Sequence, residues 1–343
     1  MGVVGSNEVQ PRTRASADEE IMVRLLRNAI MRSPRGIAVL LTLPIVAVAC
    51  APDTTSRIGG TTLWLDGAHG RVKTQVFARE RVSERPILVL VLHGDLPDPR
   101  PDYQYLVAKA ITVGWPEDPD RSARLRSALG GDWRDEDVIA AGILRPGYTD
   151  PSGDRSSGDP GRAVADNYTP EVVDAIADAT RQIKDVYNAR AVVLVGHSGG
   201  GAIVANVIGR HPDLADGALL VACGCDPEAW RARMRVRAPG SIRDGANPSL
   251  LPLSLAHRVR PRTIVRLVVG SADDVTLPED SRRYAEALQR RGVDVRLTIE
   301  PGLGHNMLVT PAAFRELGAL VGSIVPLGQE LRVPDSDVQE NTP

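Results

Sequence analysis

Three residues in one order carry the chemistry this chain could do. Ser198 stands in Gly196-His197-Ser198-Gly199-Gly200, Asp273 follows Gly270-Ser271-Ala272, and His305 follows Gly302-Leu303-Gly304. A serine hydroxyl is a poor nucleophile near neutral pH. It needs a base to take its proton, and the base needs an anion to fix its tautomer and stabilise its charged form. Brought together, these side chains would attack an acyl carbonyl. His305 is the histidine downstream of the serine that follows a strand-like run. His211 precedes Pro212 at a helix end, where a cap or surface role is expected, and His257 falls in an irregular segment, where exposure is expected. His197 lies inside the serine turn, with its ring directed away from the point of attack. His93 precedes the serine and reads as a structural peg; His69 sits in a turn. Asp274 is the alternative acid, with a cap or turn residue as its simpler role.

The elements around these residues must place them at one edge. Residues 191–195, Ala-Val-Val-Leu-Val, are uncharged and β-branched, as in a strand buried on both faces. An apolar helical pattern through Val204, Val207 and Ile208 follows the glycines. Strand, tight turn and helix therefore meet at Ser198, and Gly196 and Gly200, lacking Cβ, permit the close approach. A dinucleotide loop does not fit, because G-x-G-x-x-G cannot be laid over residues 196–204. Further strands are predicted at 86–92, 138–144, 217–223, 263–269 and 293–299, and helices at 103–113, 170–187, 280–291 and 311–324. Residues 61–66 and 71–80 read as an antiparallel hairpin around 67–70. Residues 149–166 read as a polar loop, and 227–259 as irregular. Strands alternating with helices imply a mostly parallel sheet covered on both faces. In such sheets the reactive groups lie beyond the carboxyl ends of the strands.

The serine pentapeptide matches G-x-S-x-G, the nucleophile elbow, and the order serine, aspartate, histidine is that of the α/β-hydrolase superfamily. The chain resembles that superfamily over residues 61–324, and is most similar to prolyl-oligopeptidase-type and dienelactone-hydrolase-type members. The resemblance implies an α/β-hydrolase fold with a small lid or none, and a serine hydrolase that works through an acyl-enzyme without metal or cofactor. Gly270-x-x-Asp273 resembles the family's G-x-x-D, which favours Asp273 as the acid. His93-Gly94-Asp95 resembles its H-G-x, so the oxyanion donors are expected to be the N–H of Gly199 and the N–H of Asp95, with Leu96 next in line. The Asp95 carboxylate is a puzzle there, since a negative group beside a developing anion is unhelpful. Substrate contacts are expected from Tyr148 and the polar loop after it. Trp230 with Met234, one helical turn apart, would form a small cap, with ordinary packing as the plainer role. Arg231, Arg233, Arg235 and Arg237 read as a solvated face, with an acidic substrate as the alternative.

The bulk composition narrows the rest. The chain has 343 residues, 43% hydrophobic and 24% charged, with a net charge of −2, so nothing points to nucleic acid. Aromatics at 3% disfavour a sugar or base platform. Cys50, Cys223 and Cys225 are the cysteines, with no spacing that suggests zinc. Residues 1–50 read as a signal and anchor region: arginines lead into an apolar run at 36–49, too short for a spanning helix. Ala47-Val48-Ala49-Cys50 resembles the lipobox of bacterial lipoproteins, which implies lipidation of Cys50 and a cell-envelope location. Plain secretion or a periplasmic location is the alternative, as is an uncleaved anchor, and translation from Met22 or Met31 would shorten the leader. Residues 51–60 read as a tether, 61–327 as the catalytic domain and 328–343 as a disordered polar tail. Cys223 and Cys225 are expected as buried free thiols, a C-x-C bridge being strained. The functional reading is an ester hydrolase. The alternatives are a peptidase, a haloperoxidase-like enzyme using the same residues, and a non-catalytic envelope lipoprotein.

Overall fold

The computed structural model describes residues 59–324 apart from 96–100, 116, 131–136, 162–166, 239–241 and 243–247. The chain divides into two units, Met1–Thr54 and Thr55–Pro343, and the described residues belong to the second. The signal-like region, Cys50, most of the tether, Leu96 and the tail lie outside the described residues.

Two alternating segments open the domain as a hairpin, β1 (Thr61–Gly67) and β2 (Gly70–Phe77), closed by the pair Gly67 and Gly70. Six further strands follow: β3 (Ile87–Leu92), β4 (Val138–Ile143), β5 (Ala191–His197), β6 (Gly217–Val221), β7 (Ile264–Gly270) and β8 (Asp294–Glu300). All form one sheet in the order β1-β2-β4-β3-β5-β6-β7-β8. The β1–β2 and β2–β4 pairs are antiparallel and the rest are parallel.

Apolar side chains of β3 to β7 alternate between two layers, because successive residues of a strand face opposite sides. Leu88, Leu90 and Leu92 enter one layer with helices α3 (Pro170–Val186), α4 (Gly199–Arg210) and α7 (Pro278–Arg290). Ile87, Val89 and Val91 enter the other with α1 (Tyr103–Thr112), α2 (Pro119–Leu129) and α8 (Pro311–Ile324). Both faces of the sheet are therefore covered, which is why its inner strands carry unbroken apolar runs.

Two helices depart from the sequence expectation. Helix α2 lies where none is predicted, and α5 (Pro227–Arg237) begins the stretch read as irregular. That stretch also holds the short α6 (Pro252–Leu255) and a 3₁₀ turn over Ala256–Arg258. Both longer helices start with the same device. The Asp118 side chain accepts the Arg121 N–H and the Asp226 side chain the Ala229 N–H, each at 3.0 Å, with proline in the first turn. Dense arginine and few core contacts hide their periodicity. Among the described residues, no helix is long and apolar enough to cross a membrane.

Candidate active site

Ser198 stands between the end of β5 and the start of α4 in a left-handed conformation, φ 54° and ψ −120°. The turn leaves no room for side chains beside it. A Cβ on Gly196 would lie 2.4 Å from the carbonyl oxygen of Gly200, and one on Gly200 would lie 2.3 Å from that of His93. A non-glycine residue at positive φ carries a conformational cost that the surrounding packing must hold in place. Strand β3 pairs with β5 in parallel, Leu92 opposite Gly196, so His93-Gly94-Asp95 leaves the sheet beside Ser198.

The structure brings the three sequence-predicted residues together. His305 Nε2 is 3.0 Å from Ser198 Oγ, and His305 Nδ1 is 3.0 Å from Asp273 Oδ2. One tautomer satisfies both: Nδ1–H donates to the carboxylate and Nε2 accepts the serine proton. Strands β5, β7 and β8 deliver the three residues, and the last two loops are joined where the Ala272 N–H donates to the Leu303 carbonyl at 2.9 Å. Asp273 has a fully buried side chain, whereas that of His305 is 18% exposed. Burial would raise the Asp273 pKa, but the hydrogen bond and charge of His305, with the donors of Thr276, hold it below the ordinary carboxylate range. The backbone N–H groups of Val275 and Thr276 both donate to Asp273 Oδ1 at 2.9 Å. Thr276 Oγ1 lies 2.9 Å from Oδ2 and 3.0 Å from the Ala222 carbonyl, with one proton to give. Sequence reading missed Thr276; its signal is a hydroxyl three residues after the acid, the spacing of a side chain closing its own turn. Asp274 is exposed and paired with Arg237 at 2.9 Å.

Other histidines brace this site. His197 Nε2–H donates to the His305 carbonyl at 3.0 Å, and His197 Nδ1 lies 3.2 Å from the Tyr103 hydroxyl, which in turn accepts the Gly94 N–H. A single chain of hydrogen bonds thus runs from the loop after β3 to the backbone of His305. Burial lowers the His197 pKa to about 4, so the ring stays neutral and keeps one tautomer. His93 is fully buried, its Nδ1–H donating to the Gly94 carbonyl at 2.8 Å and its Nε2 accepting the Arg145 N–H at 3.1 Å. Burial and the neighbouring Arg145 charge keep its pKa far below the usual imidazole range. His211 terminates α4 and contacts Asp174 at 2.7 Å, and His257 is exposed.

Gly199 opens α4 and Asp95 lies beside it, its carboxylate accepting from Arg145 Nη1 at 2.8 Å and from the Tyr168 hydroxyl at 2.6 Å. Burial and the Asp95 charge push the Tyr168 hydroxyl well above its ordinary pKa, so it remains a donor. Tyr148 is buried, its ring edge-on to His93 with centroids 4.6 Å apart. Trp230 is buried in the core layer with α4, and Met234 packs partly against it, the packing role that was the plainer reading. The arginines of α5 do not form a wholly solvated face: Arg231 is buried, Arg233 pairs with the buried Asp280, and Arg237 pairs with Asp274. Cys223 and Cys225 are joined in a disulfide, against the expected free thiols. The left-handed turn at Ala222, φ 45°, breaks the strand alternation just before them, and their Cα atoms stand 5.1 Å apart. Among the described residues no cluster of three His, Cys, Asp or Glu side chains is arranged to hold a metal ion.

Residues 162–318, which include Ser198, Asp273 and His305, match the model of the prolyl oligopeptidase family. No curated protein matches the chain by sequence. Among solved structures the chain is similar to Est1E from Butyrivibrio proteoclasticus with ferulic acid bound, at 13% identity and TM-score 0.51, over 77% of this chain and 98% of that one. It is also similar to a puromycin-hydrolysing peptidase of Mycobacterium tuberculosis, at 18% identity and TM-score 0.54, over 77% of this chain and 39% of that one. The acylaminoacyl peptidase of Pyrococcus horikoshii follows at 12% identity and TM-score 0.51, over 77% and 41%. The fold is the α/β-hydrolase fold, and fold and family match together make the chain a serine hydrolase.

Proposed function

We propose that the chain cleaves a carboxylic ester through an acyl-enzyme, with Ser198 as nucleophile, His305 as general base and acid, and Asp273 as the orienting anion. The observation that carries this is the unbroken line from Ser198 Oγ to His305 Nε2 and from His305 Nδ1 to Asp273, 3.0 Å at each step. His305 takes the serine proton as Oγ attacks the acyl carbon, then gives it to the leaving alcohol; water repeats the cycle on the acyl-serine. The N–H groups of Gly199 and Asp95 receive the oxyanion. The Gly94 N–H is already committed to Tyr103, which supports Asp95 as the second donor. Losing one such donor costs about 100- to 1000-fold in rate.

A peptidase is the second reading, supported by the match to the prolyl oligopeptidase family. The test is labelling of the intact protein with a fluorophosphonate, followed by hydrolysis of a panel of p-nitrophenyl esters and peptide p-nitroanilides. Ser198→Ala should abolish labelling and lower ester turnover by about 1000-fold or more. A wild-type protein that neither labels nor hydrolyses any short acyl ester would sink the ester reading, and turnover of anilides alone would turn it into a peptidase.

The protein is further proposed to be a membrane-tethered lipoprotein of the cell envelope, held through Cys50. The lipobox-like Ala47-Val48-Ala49-Cys50 supports this. So does the Cys223–Cys225 disulfide, a bond that persists in oxidising compartments. Metabolic labelling with a palmitate analogue should mark the wild type and not Cys50→Ser; equal labelling of the two would refute the anchor.

A further inference from the structure

We propose that Arg145 is a charge-compensating positioning residue: together with the Tyr168 hydroxyl it holds the Asp95 carboxylate against Gly199 and cancels its charge beside the oxyanion. The inference rests on the hydrolase reading above and extends it to a residue that reading does not use.

The placement of Asp95 creates the need. A Cβ on Gly199 would meet Asp95 Oδ1 at 2.5 Å and Cγ at 2.6 Å, so the carboxylate lies flat on the α-carbon of the residue that opens α4. That residue's N–H is one oxyanion donor and Asp95's own N–H is the other. An uncompensated negative charge there opposes the charge that develops during attack, and weak screening in a buried site makes the opposition strong.

The structure supplies a compensating charge at this carboxylate. The Arg145 side chain is 0% exposed and that of Asp95 is 7% exposed, with Nη1 and Oδ1 2.8 Å apart. Arg145 Nε and Nη2 have no hydrogen-bond partner among the described residues. The guanidinium carbon stands 5.0 Å from the Tyr148 ring and 5.9 Å from the Tyr168 ring, so aromatic faces enclose it. A buried guanidinium with two unpartnered nitrogens is a costly brace, and an apolar side chain of similar volume could pack as well. What an apolar residue could not do is neutralise Asp95. Arg145 also touches His93, through Nη1 to its carbonyl at 3.3 Å and through the Arg145 backbone N–H to its ring Nε2. The charge therefore arrives on a group already fastened to the oxyanion loop.

A structural brace and a counter-charge predict different double variants. The full chain is compared as wild type, Arg145→Met, Asp95→Asn and Arg145→Met/Asp95→Asn, by kcat and KM for p-nitrophenyl acetate and by thermal melting. Arg145→Met should lower kcat by about 100-fold with KM little changed, the scale of a lost oxyanion donor. Asp95→Asn in that background should restore about tenfold or more, since it removes the stranded charge while keeping side-chain shape. A double variant no faster than Arg145→Met, or an Arg145→Met enzyme with wild-type kcat, would overturn the proposal. If Arg145→Met does not fold, Arg145→Lys and Arg145→Gln replace it: the lysine variant should keep the higher kcat at equal Tm, and equal rates would refute the charge argument. Failure of the wild type to react with the ester and the fluorophosphonate would instead remove the hydrolase reading on which the proposal stands.

Discussion

At the scale of single residues, the acid is distinguished by its donors. Asp273 receives two backbone N–H groups, a threonine hydroxyl and an imidazole, whereas Asp274 faces solvent and pairs with Arg237. Adjacent carboxylates in the sequence thus do unrelated work. Asp273→Asn should lower kcat by up to about 10,000-fold, because the amide can hold His305 in the wrong tautomer, while Asp274→Asn should stay close to wild type in ester turnover. Thr276→Val removes a hydrogen bond to a charged group, worth about 1.5–3 kcal/mol. Its kcat should drop by roughly 10- to 100-fold with KM nearly constant. A Thr276→Val enzyme with unchanged kcat would show that the two backbone donors suffice.

At the scale of elements, the elbow is a packing problem solved by glycine. The Gly200 α-carbon faces the carbonyls that end β3, leaving 2.3 Å for an added methyl group. Overpacking of this kind typically costs about 1–3 kcal/mol. Gly200→Ala should therefore melt roughly 2–12 °C lower in a domain of this size, and loss of fluorophosphonate labelling should accompany it as β3 is pushed from Ser198. The strands and the long amphipathic helices were legible because burial on two faces writes continuous apolar runs, and burial on one writes a repeat. Helices α2 and α5 were not, because each buries only a few side chains, such as Leu125 and Leu129 in α2 and Trp230 in α5. Their Asp-Pro starts were the readable signal.

At the scale of the whole molecule, pH dependence follows from histidines buried in neutral form. The His197 pKa falls from 6.5 to about 4 on folding, so between these values the unfolded chain binds the extra proton. Stability contributed by neutral His197 is therefore present above pH 6.5 and is lost as pH falls towards 4, by about 3 kcal/mol at most. His93 acts in the same direction. The depressed Asp273 carboxyl adds a loss at still lower pH, as it protonates. Melting curves should show Tm falling across pH 6.5 to 4, and His197→Gln should flatten that fall; parallel curves would contradict the assignment. The disulfide has a separate readout. Intact mass without reductant should be two hydrogens below the reduced protein, and equal masses would mean that Cys223 and Cys225 remain thiols.

The order of serine, aspartate and histidine, the apolar strands that carry them and the glycines that sharpen the turn are local facts, written in residue types and spacing. They sufficed to place Ser198, Asp273 and His305 at strand ends. The pairing of Asp95 with Arg145 and Tyr168, the reach of the Thr276 hydroxyl to the Ala222 carbonyl, and the closing of Cys223 on Cys225 depend on strand order and on the exact direction of short loops. Such contacts join residues far apart in the chain or reversed by one left-handed turn. No period or motif encodes them, because they form only when the parallel strands bring their carboxyl ends to one edge.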